Sequence, residues 1–281
     1  MRIIQQNKDI ILTSCRHFDI KRSFECGQCF RYEESEDGLF TLIAFGNIVR
    51  LRQTGDTIIF YDMDKDEFEK IWLGYFDLDR DYESVITELS FDEQFCLASE
   101  QACGIRIFRQ DGWETLCSFI ISQNNNIPRI KKIISALCGL LGEPISTGVN
   151  AFPTAESILS AGVEGLAPIK SGFRAKYLID AAEKVVNGTV NLNELGRMDY
   201  KEAKETLMRI KGVGEKVSDC ALLFGFGFHQ AFPKDVWVKR VLDKYYGSDF
   251  DPNYFGENAG IAQQYLFYYE RNILSKTKTN T

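Results

Sequence analysis

Tyr200-Lys-Glu-Ala-Lys-Glu-Thr-Leu-Met-Arg-Ile-Lys-Gly-Val-Gly-Glu-Lys-Val-Ser-Asp-Cys-Ala-Leu-Leu-Phe-Gly-Phe226, followed beyond a loop by Pro233-Lys-Asp-Val-Trp-Val-Lys-Arg-Val-Leu242, is the stretch whose reading decides the fold. Ala203, Leu207 and Ile210 recur at helical spacing and predict a first helix over 201–209. Gly212 and Gly214 permit positive φ and close backbone approach, so Ile210 to Gly214 reads as a tight hairpin. A second helix opens at Glu215, with Val217, Ala221 and Phe224 on one face and Lys216 and Cys220 one turn apart on another. The whole is a helix-hairpin-helix over 203–226. Its hairpin amides and the N-terminus of the second helix can hold an anion such as a nucleic-acid phosphate.

Alone, Lys216 reads as a solvated helix lysine and Asp235 as the N-cap of a helix starting at Val236. Their spacing says more. The helix from Lys216 to Phe226 runs ~15 Å at ~1.5 Å per residue, and the loop from Gly227 to Lys234 can reach back ~26 Å at ~3.3 Å per residue. Asp235 can therefore stand beside Lys216 and cap a helix as well.

Outward from this stretch, the N-terminal part is β-rich, over about 10–75. Phe40–Phe45, Asn47–Leu51 and Thr57–Tyr61 read as strands of consecutive hairpins, punctuated by Gly38, Gly46 and Gly55-Asp56. From Asp66 onward the pattern is helical almost throughout. Asp111 with Glu114 three residues on reads as a capping box. The helix it opens runs apolar into Asn124-Asn125-Asn126, a helix-breaking turn, and Pro128 restarts the next helix over 129–141. Phe152-Pro153-Thr154-Ala155-Glu156 opens another helix, as does the segment after Gly165. Gly172-Phe173-Arg174 then turns into a helix that begins near Arg174. The last helix, over 258–269, places Gln263 and Phe267 on one face.

The chain has 281 residues, 44% of them hydrophobic, enough for one large or two ordinary domains with a real core. Ile10-Ile11-Leu12 is too short for a signal peptide and Ala221–Phe228 too short to span a bilayer, so a cytoplasmic protein without membrane contact is expected. A net charge of −7 excludes a globally basic binder, but Arg129/Lys131/Lys132, Lys170/Arg174/Lys176 and Lys201/Lys204/Arg209/Lys211/Lys216 form local basic clusters beside the motifs. The eight cysteines include one CxxC, Cys26 to Cys29, and the chain has only two histidines, which argues for reduced, buried thiols rather than zinc. No cysteine follows Cys220, so no four-cysteine iron–sulfur loop follows the hairpin.

Taken in order, Gly27-Gln28-Cys29-Phe30-Arg31-Tyr32, the asparagine run, Gly172-Phe173-Arg174-Ala175-Lys176-Tyr177, the hairpin with Lys216 and Asp235, and Gln263 with Phe267 resemble the bacterial-type 8-oxoguanine DNA glycosylase/lyases of the helix-hairpin-helix (HhH-GPD) superfamily. The resemblance covers nearly the whole chain, from Phe24 to Phe267. It implies an α+β fold: an antiparallel sheet domain with flanking helices over 1–100, a mostly helical core of two helical domains over 101–250, and over 251–281 a helix packed back on the core with a disordered tail. It also implies a base-excision repair enzyme that flips out 8-oxoguanine, preferably opposite cytosine, excises it and nicks the strand by β-elimination.

By the same resemblance Lys216 is the Schiff-base nucleophile, and Asp235 stabilises the positive charge that develops on the sugar. Gly27, Cys220, Gln263 and Phe267 make the lesion-base pocket, the Gly27 carbonyl accepting from N7–H. Asn124, Arg129 and Arg174 read the opposite base, with Phe173 as wedge. Gly212, Val213, Gly214 and Lys216 hold the DNA backbone, and the main-chain carbonyls of Met208, Ile210 and Val213 hold a structural Na, K or Ca ion. No cofactor is required, and a monomer acting on double-stranded DNA that contains 8-oxoguanine is implied. Two departures stand out: Phe173 replaces a tyrosine common in relatives, and Trp237 replaces the histidine of the animal enzymes. Two other readings use the same hairpin. A monofunctional glycosylase for alkylated bases would lack Lys216, and a non-catalytic DNA-binding protein would need neither Lys216 nor Asp235.

Overall fold

A computed structural model describes residues 1–247 and 249–274 of the chain. The tail expected over Lys276–Thr281 lies outside the described residues. The N-terminal part is a six-stranded antiparallel sheet of β1 (Arg2–Gln6), β2 (Asp9–Thr13), β3 (Tyr32–Glu34), β4 (Phe40–Ala44), β5 (Asn47–Thr54) and β6 (Thr57–Tyr61), in the order β1-β2-β6-β5-β4-β3. Alternation sets its register. Phe60 lies opposite Ile10 on one side and Leu51 on the other, and Leu42 opposite Val49, so one face collects the apolar side chains. The strand β1 carries no such alternation and is exposed along its length, which hides it in the sequence. Phe45, expected at the end of a strand, is instead the first turn residue between β4 and β5. It has φ +51° and Gly46 has φ +71°, the two positive values that a two-residue hairpin turn with the strands' own twist requires.

The inner face of the sheet is covered by α1 (Ile20–Glu25) and by a helical run of α2 (Lys65–Glu67), a π turn (Phe68–Trp72) and α3 (Leu73–Tyr75). Phe18, Phe24, Phe60, Phe68, Trp72, Phe76 and Phe108 fill this core. A second, larger core is built by α4 (Tyr82–Leu89), α5 (Glu93–Gln101), α6 (Gly112–Ser122), α7 (Ile127–Leu141), α8 (Ala155–Gly165), α9 (Arg174–Val186), α10 (Leu192–Leu195), α11 (Tyr200–Met208), α12 (Glu215–Gly225), α13 (Val236–Tyr245) and α14 (Ala259–Tyr268). A small hairpin, β7 (Pro144–Ser146) with β8 (Val149–Asn150), interrupts the helices. After Gly165 the expected helix is only a 3-10 turn, Ala167–Ile169.

The seam between the two cores is the irregular run Arg106 to Gln110. Its successive amides donate to Ser23 Oγ, Tyr82 Oη, Gln28 Oε1, the Tyr75 carbonyl and the Phe224 carbonyl. Every backbone donor of a segment that belongs to no helix or sheet is thereby satisfied by a different neighbour. The buried Arg106 guanidinium adds bonds to the carbonyls of His17 and Asp77. Asp77, wholly buried, in turn accepts from Arg80, Arg109 and Tyr82.

Candidate active site

The hairpin is set by α9 as much as by its own glycines. Gly212 has φ +78°, and a Cβ on it would stand 2.3 Å from the Tyr177 ring. Asp180, one turn after Tyr177, accepts from the Lys211 amide at 2.7 Å and from Lys184 Nζ at 2.6 Å. Burial alone would raise the Asp180 carboxyl, but these two donors outweigh it and hold it below the usual carboxylate range. The Val213 amide closes the turn on the Ile210 carbonyl at 3.0 Å. Gly212 and Gly214 are exposed, and Gly214 is the N-cap of α12 with no side-chain cap bond, which leaves its N-terminal amides to an outside acceptor. Asp219 ties the two hairpin helices together by accepting from Tyr200 Oη at 2.6 Å and Lys204 Nζ at 3.1 Å.

Lys216 lies in the first turn of α12 and is half-buried, with Nζ 5.0 Å from the centroid of the Phe119 ring on α6. Phe119 is itself fixed by stacking on Phe224 at 5.5 Å. One turn on, burial pushes the Cys220 thiol up to about 11, the Lys216 charge pulls it down and Asp235 pushes it up. Lys216 and Asp235 thus both act on one buried thiol, as Asp219 does. Asp235 is the N-cap of α13, as the spacing predicted, and accepts from the Trp237 and Val238 amides at 2.9 and 2.8 Å. Both bonds go to Oδ1, so capping does not consume Oδ2. The loop that delivers Asp235 is clamped by α14. The Gly260 amide donates to the His229 carbonyl at 2.6 Å, and a Cβ on Gly260 would collide with Leu223 and with the Ala231 and His229 carbonyls. Gly260 gave no sequence signal, because its partners are distant in the chain.

Gln263 and Phe267 are both buried in α14, and Gln263 Oε1 accepts from Gln264 Nε2 at 3.1 Å. Phe267 reaches the loop of Gly27: a Cβ on Gly27 would stand 3.9 Å from Phe267 Cζ. Gln28, wholly buried, holds that loop. It donates to the Ser23 and Arg106 carbonyls at 2.8 Å each and accepts from the Phe108 amide. The residue belongs to the motif that the sequence singled out, and its part there is to position Gly27.

A second group of residues lies at the start of α9. Phe173 is 49% exposed, a large apolar ring presented to solvent, and touches Tyr177 edge-on at 5.7 Å. Asn124, with φ +46°, and Arg129 are exposed too. Arg174 is not. It is buried and donates to the carbonyls of Gln123, Asn124 and Ser171 while stacking 4.5 Å from the Phe173 ring. In this structure its guanidinium shapes the asparagine turn. The basic clusters divide in the same way. Arg129, Lys132, Lys170, Lys176, Lys201 and Arg209 are exposed, whereas Lys204 is bound to Asp219 and Lys131 lies 3.3 Å over the Tyr32 ring. Among the described residues no group of three or more His, Cys, Asp or Glu is arranged to hold a metal.

Two family models match the chain in succession: the N-terminal domain of 8-oxoguanine DNA glycosylase over residues 10–116, and the HhH-GPD superfamily base excision DNA repair protein over residues 117–255. An N-glycosylase/DNA lyase of Saccharomyces cerevisiae is 32% identical over 261 residues, 83% of this chain and 69% of the yeast protein. The structure of MBOgg1 in complex with a low-affinity DNA ligand superposes with a TM-score of 0.91 at 42% identity, covering 97% of this chain and 98% of that one. Clostridium acetobutylicum 8-oxoguanine glycosylase/lyase in complex with duplex DNA containing cytosine opposite 8-oxoguanine gives a TM-score of 0.90 at 36% identity, over 100% of this chain and 99% of that one.

Proposed function

Because the chain belongs to the 8-oxoguanine DNA glycosylases of the HhH-GPD superfamily, we propose that it excises 8-oxoguanine through a Schiff base on Lys216 and then nicks the strand by β-elimination. The chain is a bifunctional DNA N-glycosylase and DNA-(apurinic or apyrimidinic site) lyase of base excision repair. Its substrate is double-stranded DNA carrying the oxidised base, and one chain supplies hairpin, catalytic pair and pocket alike.

The course of reaction starts with extrusion of the target nucleotide, which costs a few kcal/mol, and the exposed Phe173 ring fills the gap. Gly212, Val213 and Gly214, with the open N-terminus of α12 and Lys216, hold the backbone. Gln263, Phe267, Cys220 and the Gly27 carbonyl receive the base. The Lys216 nitrogen attacks C1′ through its lone pair, and the N9–C1′ bond breaks with its electron pair leaving on the base, which takes up the proton that the amine gives up. Asp235, through the carboxylate oxygen its cap does not use, stabilises the positive charge building at the sugar. Opening of the C1′–O4′ bond gives the imine. Loss of a C2′ proton then expels the 3′ phosphate by breaking the C3′–O3′ bond.

The placement of Lys216 in the first turn of α12 over the Phe119 ring, with Asp235 capping α13 through Oδ1 alone, carries this reading. The main-chain carbonyls of Met208, Ile210 and Val213, oxygen donors at the negative end of α11, suit a hard cation such as Na, K or Ca, which would add positive field beside a phosphate. Asn124 and Arg129, both exposed, with Arg174 behind them, support cytosine as the preferred opposite base.

Single-turnover excision and borohydride trapping test the proposal. Lys216→Gln should abolish both the trapped adduct and strand cleavage while lesion binding persists. Asp235→Asn should slow excision with binding retained and lose only about 1 kcal/mol of cap stability. A trapped adduct with Lys216→Gln would assign the nucleophile to another residue. Equal excision rates opposite all four bases would remove the cytosine preference.

A further inference from the structure

The π turn after α14, Tyr269–Leu274, brings Arg271 back over the pocket. Its guanidinium carbon lies 5.5 Å from the centroid of the Phe267 ring. Its Nη1 would stand 3.6 Å from a Cβ on Gly27, with Phe267 Cζ at 3.9 Å from the same point. A cationic donor, an aromatic ring and the backbone of Gly27 therefore meet at one place, and the sequence motifs had pointed only to the ring and the glycine.

The chemistry of the base makes this a matched set. The edge that distinguishes 8-oxoguanine from guanine carries two changes side by side. N7 becomes a donor, and C8 gains a carbonyl oxygen, an acceptor. A main-chain carbonyl can read only the first of these. We propose that Arg271 is a specificity-determining residue that donates to the C8 carbonyl oxygen while the Gly27 carbonyl accepts from N7–H. Guanine, which offers C8–H and an acceptor N7 on that edge, leaves both protein groups unmatched. A charge-assisted hydrogen bond beside a ring that excludes water is strong enough to discriminate between the two bases. The inference rests on the placement of the lesion base against Gly27 and Phe267.

The test separates the two. In a Lys216→Gln background, which keeps the substrate intact, affinities are measured for duplexes carrying 8-oxoguanine or guanine opposite cytosine. Arg271→Gln should lower the ratio of the two affinities by roughly tenfold or more, through loss of lesion affinity alone. Arg271→Lys, which restores a cationic donor, should recover part of the ratio. Equal losses on both duplexes, or no change in the ratio, would overturn the proposal and leave Arg271 as a cation that merely covers Phe267. Phe267→Ala in the Lys216-containing enzyme reports on the pocket itself. If it excises 8-oxoguanine at the wild-type rate, the base does not sit there. If it is impaired while Arg271→Gln keeps the ratio, only the role of Arg271 fails.

Discussion

Gly212 and Gly214 look equivalent in the sequence, and the structure separates them. Gly212 needs its missing Cβ twice, for φ +78° and for the Tyr177 ring, whereas Gly214 has φ −101° with nothing within 4 Å of where a Cβ would be. Gly212→Ala should therefore destabilise the protein by about 2 kcal/mol or more, left-handed backbone alone costing an alanine about 1–2 kcal/mol. Adding Tyr177→Ala should relieve the steric part and not the backbone part. Gly214→Ala should melt in urea like the wild type yet bind undamaged duplex more weakly, if the proposed backbone contact is made at this glycine. Urea melts and fluorescence anisotropy on the three variants decide this, and full-strength duplex binding by Gly214→Ala would place the DNA backbone elsewhere.

Among the elements, α9 governs the hairpin although it is not part of it. Asp180 holds the Lys211 amide, and its carboxyl sits below its ordinary range, because the hydrogen bonds outweigh burial. A carboxylate with a depressed folded pKa contributes stability above its unfolded value of about 3.9 and loses it as pH falls through the lower, folded value. Asp180→Asn should cost roughly 1.5–3 kcal/mol at neutral pH, the range for hydrogen bonds to a charged group, and flatten the acid limb of a plot of stability against pH. Duplex binding should weaken with it, since the hairpin amide is no longer pinned. Chemical melts from pH 3 to pH 7 give the answer, and an unchanged acid limb would take Asp180 out of the hairpin's support. The helices around this pin were legible because their signals are local. The expected 201–209 became Tyr200–Met208, and the expected start at Glu215 is the observed one. The capping box at α6 formed only half. Asp111 accepts from the Glu114 amide at 2.8 Å, but the Glu114 side chain turns away to Arg31 of the sheet domain.

That contact belongs to the whole molecule, because it joins the sheet domain to the helical core. Arg31 and Glu114 approach to 3.2 Å, and Arg31 also donates to the Asn150 carbonyl. Burial raises the Glu114 carboxyl to about 7 in spite of Arg31. A carboxyl raised in the folded state contributes stability fully below its unfolded value of about 4.3 and loses it as pH rises through the folded value. The wild type should therefore lose stability relative to Glu114→Gln between pH 5 and pH 8, by on the order of 1 kcal/mol or more. Calorimetric melts of both proteins across that range check the slope, and parallel curves would show that the carboxyl titrates normally.

The sequence by itself determined what short-range chemistry specifies. The two-glycine hairpin, the helix starts at Glu215 and Val236, the Asp235 cap and the alternating strands each rest on neighbours within a few residues, where periodicity and turn chemistry act. It also determined the family, since the motifs follow one another in a single order. What only the tertiary structure decided are the contacts between elements far apart in the chain. Such contacts turn Arg174 inward onto the asparagine turn, make Gly260 the clamp on the Asp235 loop, and make Gln28 the strut under Gly27. They also bring Phe267 and Arg271, neighbours on successive helical turns, to Gly27 at the other end of the chain. No pattern along the chain encodes these, because each depends on which surfaces meet once two apolar cores have closed, and that is settled by packing and by the need to satisfy every buried polar group.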